Sequence, residues 1–187
     1  MKLYHFTSTI LLLSGLFLGL ACSNNSASTD QSGDAASKVS EDDLIGRLSS
    51  SLVANPTSQA DIDRNLIINY AIDKELDVQS LSSGMYYQII RPGEGTAPTI
   101  NSKVRANYQG QLLDGSEFDS SYKRGKPLDF NLRQVVPGWQ QGIPLIKPGG
   151  KIILLVPSAM AYGAQGYPPV IPPNAVLRFD VELLEVF

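Results

Sequence analysis

The chain has 187 residues, a formal net charge of −3, 43% hydrophobic residues and 18% charged residues. Such a composition supports a packed core and excludes wholesale disorder, and the acidic balance offers no basic patch for phosphates, so no nucleic-acid partner is expected. The one histidine, His5, and the one cysteine, Cys22, both fall in an apolar N-terminal stretch. Removal of residues 1–21 on export would leave no histidine and a single cysteine, Cys22, as the first residue, which excludes Ser-His-Asp and Cys-His triads, zinc sites built on histidine or cysteine, and a disulfide framework. No metal and no cofactor are expected, which leaves carboxylates, tyrosines, lysines and shape to do any chemistry.

Residues 1–21 read as a signal peptide. Lys2 gives a positive start, and Ile10 to Leu20 form an apolar run too short to span a bilayer. The run ends Gly19-Leu20-Ala21-Cys22, which resembles a bacterial lipobox, with a departure at Gly19 where the pattern has a larger aliphatic residue. The resemblance implies lipidation at Cys22 and a membrane anchor. With Ser23 next, it implies an outer membrane lipoprotein of the bacterial cell envelope, facing the periplasm. Residues 22–39 are small and polar up to Val39, cannot bury enough surface to order themselves, and read as a flexible tether.

Residues 40–80 read as a short helical segment. Ser40 with Asp43 is a capping-box-like start, and Leu44, Leu48 and Leu52 recur every four residues until Asn55-Pro56. Ser58 with Asp61 opens a second helix. Ile62, Leu66 and Tyr70 form one stripe on it; Ile68, Ile72 and Leu76 form another. Two stripes predict packing on two sides or in a dimer; a helix lying on the main domain accounts for them equally well. Residues 22–80 carry four Lys/Arg and ten Asp/Glu, and residues 81–187 carry ten and eight. This shift sets a domain boundary near Leu81.

Beyond it, glycine and proline punctuate short strands. Met85-Tyr86-Tyr87-Gln88-Ile89-Ile90 is the first. Val104, Ala106 and Tyr108 alternate with polar residues, as expected of a half-buried strand. Ile152 to Val156 is apolar on both faces, which predicts a central strand covered on both sides. Leu177, Phe179, Val181 and Leu183 alternate in the last strand. Val135-Val136-Pro137-Gly138-Trp139-Gln140-Gln141-Gly142 predicts one short helix, with proline in its first turn and glycine at its end. The expected fold is α+β, an antiparallel sheet wrapped around one short helix.

Nucleotide motifs are absent. Lys147-Pro148-Gly149-Gly150-Lys151 has neither the earlier glycine nor the Ser/Thr of a phosphate loop, and Gly93-Glu94-Gly95 lacks the third glycine of a dinucleotide fingerprint. Asp114, Glu117 and Asp119 are too sparse for a calcium loop. What remains is a set of ordered motifs: Val104-Arg105-Ala106-Asn107-Tyr108, Gly115-Ser116-Glu117-Phe118-Asp119, Val136-Pro137-Gly138-Trp139, Ala161-Tyr162-Gly163, Ile171-Pro172-Pro173-Asn174 and Leu177-Arg178-Phe179-Asp180. Across residues 81–187 these resemble an FKBP-type peptidyl-prolyl cis-trans isomerase domain.

The resemblance implies catalysis of Xaa-Pro bond rotation by Tyr108, Phe118, Asp119 and Tyr162. Trp139 would form the floor under the proline ring. Phe130, Val135, Val136, Ile171 and Phe179 would bind substrate, and Arg124 would partner Asp119. The Tyr162 hydroxyl and the Val136 N–H would donate to substrate carbonyls. Leu128 stands where an aromatic residue is common, and Tyr167 lies in a variable loop, so both could tune the residue before proline. Expected partners are proline-containing exported proteins, unfolded or folding, and the family's macrolide inhibitors. A dimer is not favoured, because residues 40–80 are shorter than the dimerisation modules of two-domain relatives. The alternative is an FKBP-like binding or chaperone module with weak or no isomerase activity.

Overall fold

The computed structural model describes residues 39–187. The signal peptide, the lipidation site at Cys22 and the tether up to Lys38 lie outside the described residues.

Helix α1 (Glu41–Ser49) starts where the sequence places it. The Ser40 hydroxyl accepts from the Asp43 N–H at 3.2 Å, and Glu41, Asp42 and Asp43 set negative charge against the positive end of the helix dipole. Helix α2 (Gln59–Asp73) repeats the device with Ser58 and Asp61. The linker between them is tied down by Asn65, whose side chain bonds both the N–H and the C=O of Val53 at 2.9 Å.

The expected stripes on these helices hold in part: Ile68 is buried and Ile72 and Leu76 pack against its cluster, but other positions need correction. Leu44 and Leu48 are buried, but Leu52 lies past the end of α1 and is exposed. On α2 the buried face is Asp63, Ile67, Ile68 and Ala71. Ile62 and Leu66 face solvent at 39% and 46% exposure. Asp63, which belongs to neither stripe, is 1% exposed and forms part of the inner face.

Strands β1 (Gln79–Ser80), β2 (Tyr86–Arg91), β3 (Lys103–Leu112), β4 (Glu117–Ser120), β5 (Leu128–Asn131), β6 (Lys151–Val156) and β7 (Leu177–Val186) form one antiparallel sheet. The order is β1-β2-β6-β7-β3-β4, and β5 pairs with the first half of β3. Helix α3 (Pro137–Gly142) is the short helix expected from the sequence, with proline in its first turn. Strand β6 is covered on both sides. Ile152, Leu154 and Val156 join the main core, while Ile153 and Leu155 join a second cluster with Leu44, Leu48, Ile67, Ile68 and Ala71. The helical segment therefore lies on the sheet, and packing runs unbroken across the composition change near Leu81.

Gly142 was read as a helix-ending glycine, but its φ of −80° needs no glycine. The reason is distance. A Cβ at Gly142 would fall 2.5 Å from Leu154 Cδ2, and one at Gly138 would fall 2.5 Å from Val156 Cγ1. The two glycines, four residues apart on one face of α3, let the helix settle directly onto β6.

Candidate active site

Helix α3 sets the floor. Trp139, 4% exposed, lies among three aromatic rings. Tyr108 from β3 meets it edge-on at 4.9 Å and 81°, Phe179 from β7 at 5.3 Å and 82°, and Phe130 from β5 lies tilted at 5.2 Å. Phe118 from β4 extends the wall, edge-on to Phe179 at 5.7 Å. Edge-to-face contacts of this kind favour one relative orientation of the rings. Gly110 makes room for the outer pair: a Cβ there would fall 2.7 Å from the Phe118 ring and 3.0 Å from the Phe179 ring.

The resulting cleft is lined by Tyr108, Phe118, Asp119, Gln134, Val135, Val136, Trp139, Tyr162 and Phe179. Every one except Gln134 was singled out in the sequence. Phe130 and Ile171 stand behind the lining: Phe130 packs on Trp139, and Ile171 is 2% exposed within the main core. Arg124 also stands outside the lining and acts on it from the side. Gln134 carries no sequence signal, since a lone glutamine before two valines marks nothing. It enters through the turn Leu132–Gln134, where its Oε1 accepts from Asn131 Nδ2 at 3.1 Å.

Asp119 closes one side. It accepts hydrogen bonds from the Tyr108 hydroxyl and from the Arg124 guanidinium, and Arg124 also donates to the Tyr108 hydroxyl at 2.8 Å. Arg124 lies over the Tyr108 ring at 5.2 Å. Glu117, two residues before Asp119 on β4, has different partners, with Lys123 at 2.8 Å and Gln109 at 2.5 Å. The carboxylates thus have separate partners, which argues against a paired acid and base.

Two donors at the rim remain uncommitted. Among the described residues, neither the Tyr162 hydroxyl nor the Val136 N–H donates a hydrogen bond. Val136 caps α3 in an extended conformation (φ −56°, ψ 147°), and the Gln140 side chain donates to the preceding Val135 carbonyl at 2.8 Å. The buried Trp139 Nε1 also lacks an acceptor among the described residues. Burial pushes the Tyr108 hydroxyl up to about 12, reinforced by its bond to Asp119. Burial likewise raises Tyr162, and the bond to Tyr108 raises Arg124. All three keep their protons at neutral pH.

Residues 94–184 match the family described as FKBP-type peptidyl-prolyl cis-trans isomerase. FkpA of Escherichia coli K12 is 52% identical over 113 residues, covering 60% of this chain and 42% of FkpA. The isomerase Mip of Coxiella burnetii is 46% identical over 109 residues, covering 58% of this chain and 47% of Mip. The chain therefore spans less than half the length of these curated relatives. The crystal structure of E. coli FkpA superposes with a TM-score of 0.61 at 43% identity, over 75% of this chain and 63% of that one. An isomerase structure from Pseudomonas syringae pv. tomato superposes at 0.61 and 32% identity, over 72% of this chain and 98% of that one. Sheet, short helix, ordered motifs and these likenesses agree: the chain belongs to the FKBP-type peptidyl-prolyl cis-trans isomerase family.

Proposed function

We propose that the chain is a peptidyl-prolyl cis-trans isomerase acting on proline-containing exported proteins as they fold. The observation that carries this reading is the aromatic cleft over Trp139, with uncommitted donors at its rim. Rotation of an Xaa-Pro bond breaks no covalent bond. Its barrier of roughly 18–20 kcal/mol is the lost resonance of a planar amide. The planar amide is the more charge-separated form, and water stabilises that separation. A cleft walled by Tyr108, Phe118, Trp139 and Phe179 replaces the water, so the twisted amide costs less there. A 10⁴-fold acceleration requires about 5.5 kcal/mol. Desolvation together with hydrogen bonds from Tyr162 and Val136 is of that order. Asp119, held by Tyr108 and Arg124, presents a fixed negative charge to the twisting amide.

The test is protease-coupled isomerisation of Xaa-Pro peptides with uncharged side chains. With Tyr108, Tyr162 and Arg124 all keeping their protons, kcat/KM is expected to be flat from about pH 6 to 8. A step in this range that disappears in Asp119→Asn would make proton transfer part of the mechanism and reject the desolvation account. Absence of acceleration would leave a binding module. The Tyr108 shift also has a stability consequence. Because its folded value lies above the unfolded one, its contribution is fully present below about pH 10 and is lost as the pH rises through about 12. The family's macrolide inhibitors are proposed to compete for the same cleft.

We also propose lipidation of Cys22, which would place the domain at the envelope membrane on the tether that follows, as an outer membrane lipoprotein on the periplasmic side. The support is the Gly19-Leu20-Ala21-Cys22 sequence and the lack of any other cysteine. Cys22→Ser is expected to move the protein from the membrane fraction to the soluble fraction. Equal membrane association of both forms would reject the anchor. Stable attachment requires more than one acyl chain, since a single chain binds only marginally.

A further inference from the structure

Helix α2 touches the segment that carries Tyr162 at both of its ends. At one end stands Asp63. Its Oδ2 accepts from the Ser158 N–H at 2.8 Å and from the Ser158 hydroxyl at 2.6 Å, and its Oδ1 accepts from Gln59 Nε2 at 2.7 Å. Ser158 opens the turn Ser158–Met160; the Ala161 N–H closes back on the Ser158 carbonyl at 3.0 Å, and Tyr162 follows. At the other end, Val176 packs in the same cluster as Ile67, Ile68 and Ala71 of α2. Just beyond, Arg178 donates to the Tyr70 hydroxyl at 3.0 Å. The segment between these ends also carries Ile171 and is closed on itself, with the Asn174 N–H bonded to the Gly163 carbonyl at 2.9 Å.

A carboxylate at 1% exposure is costly unless donors surround it, and an apolar residue at position 63 would continue the face formed by Ile67, Ile68 and Ala71. Packing alone therefore does not call for an acid. What the acid adds is direction: charge-assisted bonds to both the backbone and the side chain of Ser158 fix where the turn begins. We propose that Asp63 is a positioning residue for the isomerase site, and that α2 uses it to hold the Ser158–Tyr162 turn so that the Tyr162 hydroxyl stands at the cleft rim. This rests on the isomerase reading above.

The test is a double-mutant cycle on the full chain, combining Asp63→Asn and Asp63→Ala with Tyr162→Phe. Asp63→Asn keeps the shape and weakens the charge-assisted bonds, so it serves if Asp63→Ala fails to fold. Two readouts are taken: kcat/KM for an Xaa-Pro peptide, and peptide affinity from the fluorescence of the chain's single tryptophan, Trp139. Asp63→Asn is expected to lower kcat/KM about fivefold beside Tyr162 and less than about twofold beside Tyr162→Phe. An equal loss in both backgrounds, or no loss in either, would overturn the positioning role, because a general loss of packing would not depend on the Tyr162 hydroxyl. If the wild type binds peptide without isomerising it, the isomerase reading fails on its own, and the same cycle decides the positioning role from affinities. A wild type that neither binds nor isomerises overturns both.

Discussion

Replacing Phe118 with alanine is expected to lower kcat/KM for an Xaa-Pro peptide about tenfold or more, equivalent to about 1.4 kcal/mol of transition-state stabilisation, with the fold retained. Phe118 sits on β4, at one end of the sheet order, and lines the cleft edge-on to Phe179. It is only partly buried and packs against the main core from outside. Its loss should therefore cost well under the ~3–5 kcal/mol of a fully buried Phe→Ala change. The larger effect is on solvent. Removing the ring lets water reach the amide from the β4 side, and the benefit of desolvation goes with it. Peptide isomerisation and thermal melting measured on the same sample separate the two. Unchanged activity would mean that the reacting amide sits elsewhere.

Leu183→Ala is expected to give the converse result. Leu183 is 0% exposed on β7, opposite Ala106 of β3, and its N–H bonds the Gly150 carbonyl at 3.0 Å. It lies four residues along the strand from Phe179, a separation of about 13 Å. Truncation there should cost roughly 2–5 kcal/mol through the cavity it leaves. That corresponds to a fall in Tm of about 5–15 °C for a chain of this size. Activity per folded molecule should stay within about twofold of wild type. A stability loss below ~1 kcal/mol would show that the site collapses around the missing side chain. Leu154 would be a poorer probe of the scaffold, because its Cδ2 lies directly beneath Gly142 of the helix that carries Trp139.

Strands β3, β6 and β7 were legible because their burial follows a simple period. Val104, Ala106 and Tyr108 alternate, and Ile152 to Val156 are apolar on both faces, which required cover on both sides. The cover proved to be α1 and α2, which the same patterns left between docking and self-association. The short strands β1, β4 and β5 were missed: two to four residues are too few to show a period, and their pairing with longer strands holds them. The aromatic lining was legible through ordered motifs rather than through any single ring. Gln134 and Asp63 were not. One enters the cleft through a turn, and the other inverts the usual sense of a charged residue on a helix, since two of its donors belong to Ser158, 95 positions away along the chain.

Strand β7 comes last in the order of the elements and sits in the middle of the sheet, between β6 and β3. A chain that emerges from a ribosome or a translocation pore N-terminus first must therefore wait. Until Leu177–Val186 are free, β2 with β6 and β3 with β4 and β5 remain separate half-sheets, each with an open edge that another chain could pair with. Pairings so distant in sequence are also slow to close, because the entropy of the intervening loops must be lost first. Phe179 belongs to this same strand, so the cleft is assembled in the step that joins the two half-sheets. Until that last strand is free, a nascent copy has neither a closed sheet nor a complete pocket.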